Sequence, residues 1–271
     1  MPQLDVPLSR LRFGQTSRKD AWWLPTLLWG IAFVVGFGYL TWGIIQPSHY
    51  WAPPYLTPLA SPLLYGEGPH AWFGHTAPSW YPSFLPLMPG LFIALFPGGF
   101  RMSCYYYRGK YYKSLWADPV NCAVGEPRKE YRGEAKWPLL IQNVHRYFLY
   151  FAIVFIFFLA YDVYLATRFP VPGGSEEQTT FGLGLGTLIM AVNVTFICLY
   201  TFDCHSFRHL IGGVKDIISG SPVRKKLYNC ATCLNSQHGR WAMASLYSMC
   251  ATDIYIRLCA AHIISDPRIL F

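Results

Sequence analysis

The chain has 271 residues, 53% of them hydrophobic and 13% charged, about half the charged share of an ordinary soluble domain. Lys and Arg number 22 against 14 Asp and Glu, a formal net charge of +8. This composition excludes water as the only solvent, and it leaves nucleic acid, anionic lipid or an orientation signal as the meaning of the positive charge.

Five apolar runs follow in chain order: Ala21–Ile45, Phe84–Phe96, Leu139–Thr167, Phe181–Phe202 and Trp241–Ile264. Four reach the ~20 residues that cross a ~30 Å hydrocarbon core, whereas the second is shorter and meets Pro97-Gly98-Gly99 before a Tyr-rich segment. The first run is too long for a secretory signal and lacks a small-residue cleavage site, so it reads as a retained helix. Charge alternates between the runs. Met1–Asp20 carries Arg10, Arg12, Arg18 and Lys19, Arg101–Lys136 carries eight basic residues and Ser206–Arg240 six, whereas Gln46–Ser83 and Phe169–Thr180 carry none. Basic loops stay in the cytoplasm, which places the N-terminus inside and the C-terminus outside and removes the motive for nucleic-acid binding.

The expectation is an all-α integral membrane protein, a five-helix bundle forming one domain over residues 1–271. Its spans lie near 21–45, 84–100, 139–167, 181–205 and 241–264, with cytoplasmic loops at 101–138 and 206–240 and outer loops at 46–83 and 168–180. The first outer loop is rich in Pro, Trp and Tyr and reads as an ordered cap near the head groups. Its His49, His70 and His75 lack helical or hairpin spacing and read as ordinary loop residues. On the other face, Arg101–Ser114 packs five Tyr and four cations into fourteen residues. That pattern suits an interfacial helix on the membrane surface, or a docking floor for a soluble subunit.

Cys and His crowd the cytoplasmic edge: Cys104, Cys122, His145, Cys204, His205, His209, Cys230, Cys233 and His238. Cytosolic cysteines stay reduced, so metal ligation is favoured over disulfides. His205 and His209 are four apart at the end of a long apolar run, a spacing that projects both from one helix face; a polar helix end would place them equally well. A b-type haem needs axial histidines from two helices, which His145 with His205 or His209 would supply. A [2Fe–2S] cluster with two Cys on one iron and two His on the other finds that set in Cys104, Cys122, His205 and His209. The first two spans contain no His, which argues against two stacked haems. Cys230-Ala-Thr-Cys233 with His238 offers three ligands where a closed zinc site needs four.

Asp162, Asp253 and Arg257 stand inside spans, where charge is costly; Asp253 and Arg257 are four apart and can pair along one helix face or form part of a proton path. His145, Arg146, Tyr150, His238, Arg240 and Trp241 supply the donors and flat rings that a quinone head group requires. The three glycines opening the fourth run lie at its outer end, away from the bilayer centre where a transporter's broken helices would be.

Arg101-Met-Ser-Cys-Tyr-Tyr-Tyr-Arg, Asn121-Cys-Ala-Val, Leu140-Ile-Gln-Asn-Val-His-Arg-Tyr-Phe, Cys204-His-Ser-Phe-Arg-His-Leu-Ile-Gly-Gly and Arg240-Trp-Ala through Asp253 resemble the membrane-anchor subunit of actinobacterial succinate dehydrogenases. The likeness runs from about the second span to the fifth. It implies a bacterial plasma-membrane subunit that holds a flavoprotein and an iron–sulfur subunit at its cytoplasmic face and passes their electrons to a membrane quinone. Some relatives carry haem b, others a Rieske-type [2Fe–2S] cluster. The resemblance implies Cys104, Cys122, His205 and His209 as ligands of such a cluster, with His145, Cys204 and His238 as substitutes. The chain lacks a flavin-binding fingerprint, so succinate chemistry belongs to its partners.

Overall fold

A computed structural model describes residues 12–68, 71–117, 120–125, 135–137, 139–171, 173, 178–213 and 217–271. His70 of the expected outer loop lies outside them. The chain divides into two compact units, one comprising Met1–Phe37 and Arg101–His145, the other Gly38–Phe100 and Arg146–Phe271.

Helix α1, Leu24–Ile44, starts in the first unit and ends in the second. In the first unit it packs against α4, Tyr105–Leu115. The approach is close because Gly30 lacks a side chain: a Cβ there would stand 3.2 Å from Ser114 Cβ. Phe33 and Phe37 flank the fully buried Tyr107 ring at 6.4 and 5.4 Å. Ahead of α1, residues 14–16 pair with 123–125: Gly14 N–H donates to Gly125 O at 3.2 Å, and Gly125 N–H to Gln15 O at 3.0 Å.

The Phe84 run is helical only from Pro89, as α2, Pro89–Ile93, in the second unit, and α3, Leu95–Met102, whose last two residues belong to the first. The expected single span near 84–100 is therefore later and interrupted. Pro97 has no N–H to give the Ile93 carbonyl, which removes one ladder bond where the two pieces meet. A 3-10 turn, Leu139–Val144, leads into α5, His145–Leu165. The fourth run opens as a strand, not a helix: β4, Thr179–Gly184, precedes α6, Leu185–Phe202. β4 lies between β3, Arg168–Pro170, and β5, Arg268–Leu270, in an antiparallel sheet with Phe169 opposite Thr180 and Leu183 opposite Ile269. A Cβ at Gly182 would meet Leu270 and Phe169 side chains at 2.7 and 2.8 Å, so glycine is what lets the three strands close up. A short hairpin pairs β1, Trp51–Ala52, with β2, Tyr55–Leu56. The all-α expectation is thus modified by small β pieces in the connections between helices.

After α6 come two shorter helices, α7, His205–Gly212, and α8, Pro222–Asn235, then α9, His238–Ala260, which starts three residues before the expected span and stops four short of its end. Helices α6 and α9 pack along their length. Three stretches among the described residues are long and apolar enough to cross a membrane: Leu24–Ile44, Leu140–Leu165 and Leu185–Phe202. They leave Val34, Val35, Phe157 and Leu188 exposed, an outward surface suited to hydrocarbon.

The charges that the sequence reading expects inside spans are buried and bonded. Asp253 accepts hydrogen bonds from Tyr39 Oη at 2.5 Å, Arg257 Nε at 2.7 Å and Thr57 Oγ1. Arg257 also donates to the carbonyls of Ser48 at 2.9 Å and Gly43 at 2.8 Å. Asp162 accepts from Ser61 Oγ. Thr57 and Ser61 belong to the loop between α1 and α2, so the carboxylates of α9 and α5 hold that loop in place.

Candidate functional site

The chain twice interrupts a helix with the same local construction. In the first unit Ser103 and Cys104 end α3, and Cys104, in extended conformation (φ −65°, ψ 129°), becomes the N-cap of α4. Its carbonyl accepts the first helical bond, from Arg108 N–H at 2.9 Å. Ser103 Oγ shares a 3.0 Å hydrogen bond with Nδ1 of His145, the first residue of α5. Ser103, Cys104, Arg108 and His145 are all buried.

In the second unit Asp203 and Cys204 end α6, and Cys204 (φ −61°, ψ 141°) is the N-cap of α7, accepting from Arg208 N–H at 3.1 Å. Asp203 Oδ1 lies 2.5 Å from Nδ1 of His238, the first residue of α9. Asp203 and Cys204 are buried, and His238 is half-buried. The break in the helix is stabilised from α8: Asn235 Nδ2 donates to the freed Asp203 carbonyl at 2.7 Å. Each time, a Ser or Asp precedes a buried capping Cys, an Arg follows four residues later, and a His opening the next long helix bonds back through Nδ1.

In such surroundings a thiol and an imidazole can serve as metal donors. A thiol at a helix N-terminus meets the positive end of the helix dipole, which favours thiolate. A carboxylate on His Nδ1 fixes the tautomer with its proton there, leaving the Nε2 lone pair for a metal, as outer partners of ligating histidines commonly do. Beside Cys104, burial pushes the Tyr106 phenol up to about 12, with a smaller contribution from negative charge on Cys104. Arg101 Nη1 donates to the buried Tyr107 phenol at 2.8 Å.

The other predicted donors are placed differently. His205 and His209 are exposed on α7, a separate short helix and not the end of a long one, because the chain turns at Asp203-Cys204. Cys122 is exposed in the loop after α4, next to Asn121, whose Nδ2 donates to Trp22 O at 2.7 Å. Among the described residues, no three His, Cys, Asp or Glu stand together as a site for one metal ion. A [2Fe–2S] cluster asks for less, two ligands at each iron.

Of the predicted quinone contacts, Arg146, Tyr150 and Arg240 are exposed, and the Arg146 guanidinium lies over the Tyr147 ring at 5.2 Å. His238 and Trp241 share the first turn of α9 and one of its faces. Across from them on α6, Tyr200 stacks on His238 with centroids 5.4 Å apart, and Phe196 faces Trp241 at 6.4 Å. Among the described residues the Trp241 Nε1–H is buried with no hydrogen-bond partner. A buried donor left unmatched is costly, so one is expected where a ligand supplies the acceptor.

Residues 24–262 match the family model of actinobacterial succinate dehydrogenase subunit SdhC. The chain belongs to that family. A solved chain described as Mycobacterium smegmatis Sdh1 complex in the apo form superposes on this SdhC-family chain with a TM-score of 0.80 at 39% identity, covering 93% of this chain and 92% of that one. No curated protein matches the sequence. The family places the chain as the membrane-anchor subunit of a succinate dehydrogenase complex. The doubled Ser/Asp-Cys-x3-Arg pattern, at 103–108 and 203–208, escaped the sequence reading, though the repeated spacing was there to find.

Proposed function

We propose that this SdhC-family chain crosses the plasma membrane five times with its N-terminus in the cytoplasm, docks the flavoprotein and iron–sulfur subunits at its basic cytoplasmic face, and passes their electrons to a quinone beside Trp241. The observation that carries the quinone reading is the buried, unmatched Trp241 Nε1–H on the same helical turn as the His238–Asp203 pair. Trp241 donates this hydrogen to one quinone carbonyl and orients the ring. Asp203 Oδ1 and His238 Nδ1 hold a proton between them, available to follow an electron onto the quinone. Phe196 and Tyr200 wall the turn with aromatic surface and exclude water.

The redox centre of this proposal is a Rieske-type [2Fe–2S] cluster, with Cys104 and His145 as the donor pair the first unit offers or Cys204 and His238 as the pair the second offers. Support comes from what each unit shows by itself: a buried capping cysteine and a histidine oriented through Nδ1. Cys122, His205 and His209 are exposed and lack this construction. When bound, such a cluster supplies one-electron transfer at a potential raised by imidazole ligation.

Trp241→Phe tests the quinone contact. Loss of one neutral hydrogen bond, about 1–1.5 kcal/mol, raises the quinone KM roughly tenfold, with succinate oxidation by a soluble dye acceptor unchanged. An unchanged quinone KM overturns the contact. The spectrum of the dithionite-reduced complex tests the centre: an EPR signal of low average g beyond those of the partner subunits is expected, and a b-type α-band without it would replace the cluster with haem.

A further inference from the structure

The first unit holds a cleft of about 660 Å³ between the start of α1 and α4, lined by Arg18, Trp29, Tyr106, Lys110, Lys113 and Ser114 among others. Among its described lining residues the one carboxylate, Asp20, is already held by Arg18. Lys110 and Lys113, three apart on one face of α4, therefore face the cleft without a matching acid from it. The Lys110 ammonium rests 4.1 Å above the Trp29 ring and 5.0 Å from that of Tyr106, so its position is fixed by aromatic faces. Burial, and then repulsion from Lys113, lower its pKa, a strain that a bound anion would relieve.

The apolar surroundings distinguish this from a site for a small soluble anion. Leu24, Leu27 and Leu28 on α1 stay exposed beside the cleft, on a helix long and apolar enough to cross the bilayer. Cations and tryptophan at the end of such a helix occupy the depth of lipid head groups. We infer that the cleft binds one anionic phospholipid, its phosphate between Lys110 and Lys113 and its acyl chains along the exposed flank of α1. The inference rests on the chain's membrane location and is independent of the proposed redox centre and quinone contact.

The test uses the whole complex extracted from its membrane, delipidated in detergent, then supplied with phosphatidylglycerol or phosphatidylcholine and weighed intact by native mass spectrometry. Phosphatidylglycerol is expected to be retained at least about tenfold better than phosphatidylcholine, a preference that Lys110→Gln/Lys113→Gln abolishes while the subunits stay together. Equal retention of the two lipids overturns the inference. So does displacement of phosphatidylglycerol by millimolar inorganic phosphate, which would make the cleft a phosphate site. Loss of partner subunits from the double variant would make it a protein-docking surface instead. If the double variant does not accumulate, Lys113→Gln alone, at an exposed side chain, carries the same comparison.

Discussion

Replacing Asp253 with alanine separates a structural role for the buried pair in α9 from a role in proton transfer. Asp253 is completely buried and satisfies Tyr39, Thr57 and Arg257 at once. Its removal leaves the guanidinium of Arg257, a residue only 9% exposed, with the Gly43 and Ser48 carbonyls but no counter-charge. Breaking a buried ion pair from one side costs about 3–5 kcal/mol, and each stranded hydroxyl adds about 1 kcal/mol where it cannot rotate to a new acceptor. At roughly 2–4 °C per kcal/mol for a chain of this size, the expected loss is on the order of 10–20 °C. The assay heats the detergent-solubilised complex and measures the fraction still monodisperse by size exclusion, with quinone turnover recorded per intact complex. Asp253→Leu/Arg257→Met should regain most of the loss, since a well-packed apolar pair often matches a buried ion pair in stability. A shift within about 2 °C for the alanine variant would refute the energetic reasoning, and normal stability with lost turnover would assign the pair to a proton path.

Two further outcomes follow from the local geometry. Of the variants Cys104→Ser/His145→Ala and Cys204→Ser/His238→Ala, at least one should abolish the additional EPR signal, while Cys122→Ser and His205→Ala/His209→Ala leave it in place; the reverse pattern would return the ligand assignment to the exposed set. Gly90→Ala would put a Cβ 2.8 Å from Ile44 O and 2.9 Å from Leu59 O, both backbone atoms that cannot swing away. Overpacking of this kind costs about 1–3 kcal/mol against a helix-propensity gain of about 1 kcal/mol, so a modest fall in thermal stability is expected in the same size-exclusion assay.

The long apolar helices were legible because a run of some twenty hydrophobic residues has few other uses. What stayed hidden was set by partners distant in the chain. Phe181–Gly184 reads as one apolar run with the helix that follows, but Gly182 fits against Phe169 and Leu270, and strand pairing wins there. The Asp203-Cys204 break contains no Gly or Pro, and Asn235 and His238, which stabilise it, lie more than thirty residues downstream. At the candidate site, the i,i+4 spacing of His205 and His209 was visible and their exposure was not. The pairings of Ser103 with His145 and Asp203 with His238 follow no fixed spacing, so only the fold reveals them.

Thr57 and Ser61 stand four residues apart in one loop, yet one hydroxyl is committed to α9 and the other to α5. The loop thereby acts as a gauge block, with a short stretch of backbone setting the separation of two helices through a pair of buried carboxylates. Positions 57 with 253 and 61 with 162 form two coupled pairs whose members should drift together as relatives diverge. Transplanting this loop onto an anchor lacking either acid would strand a hydroxyl in an apolar interior and release the helix it was meant to space.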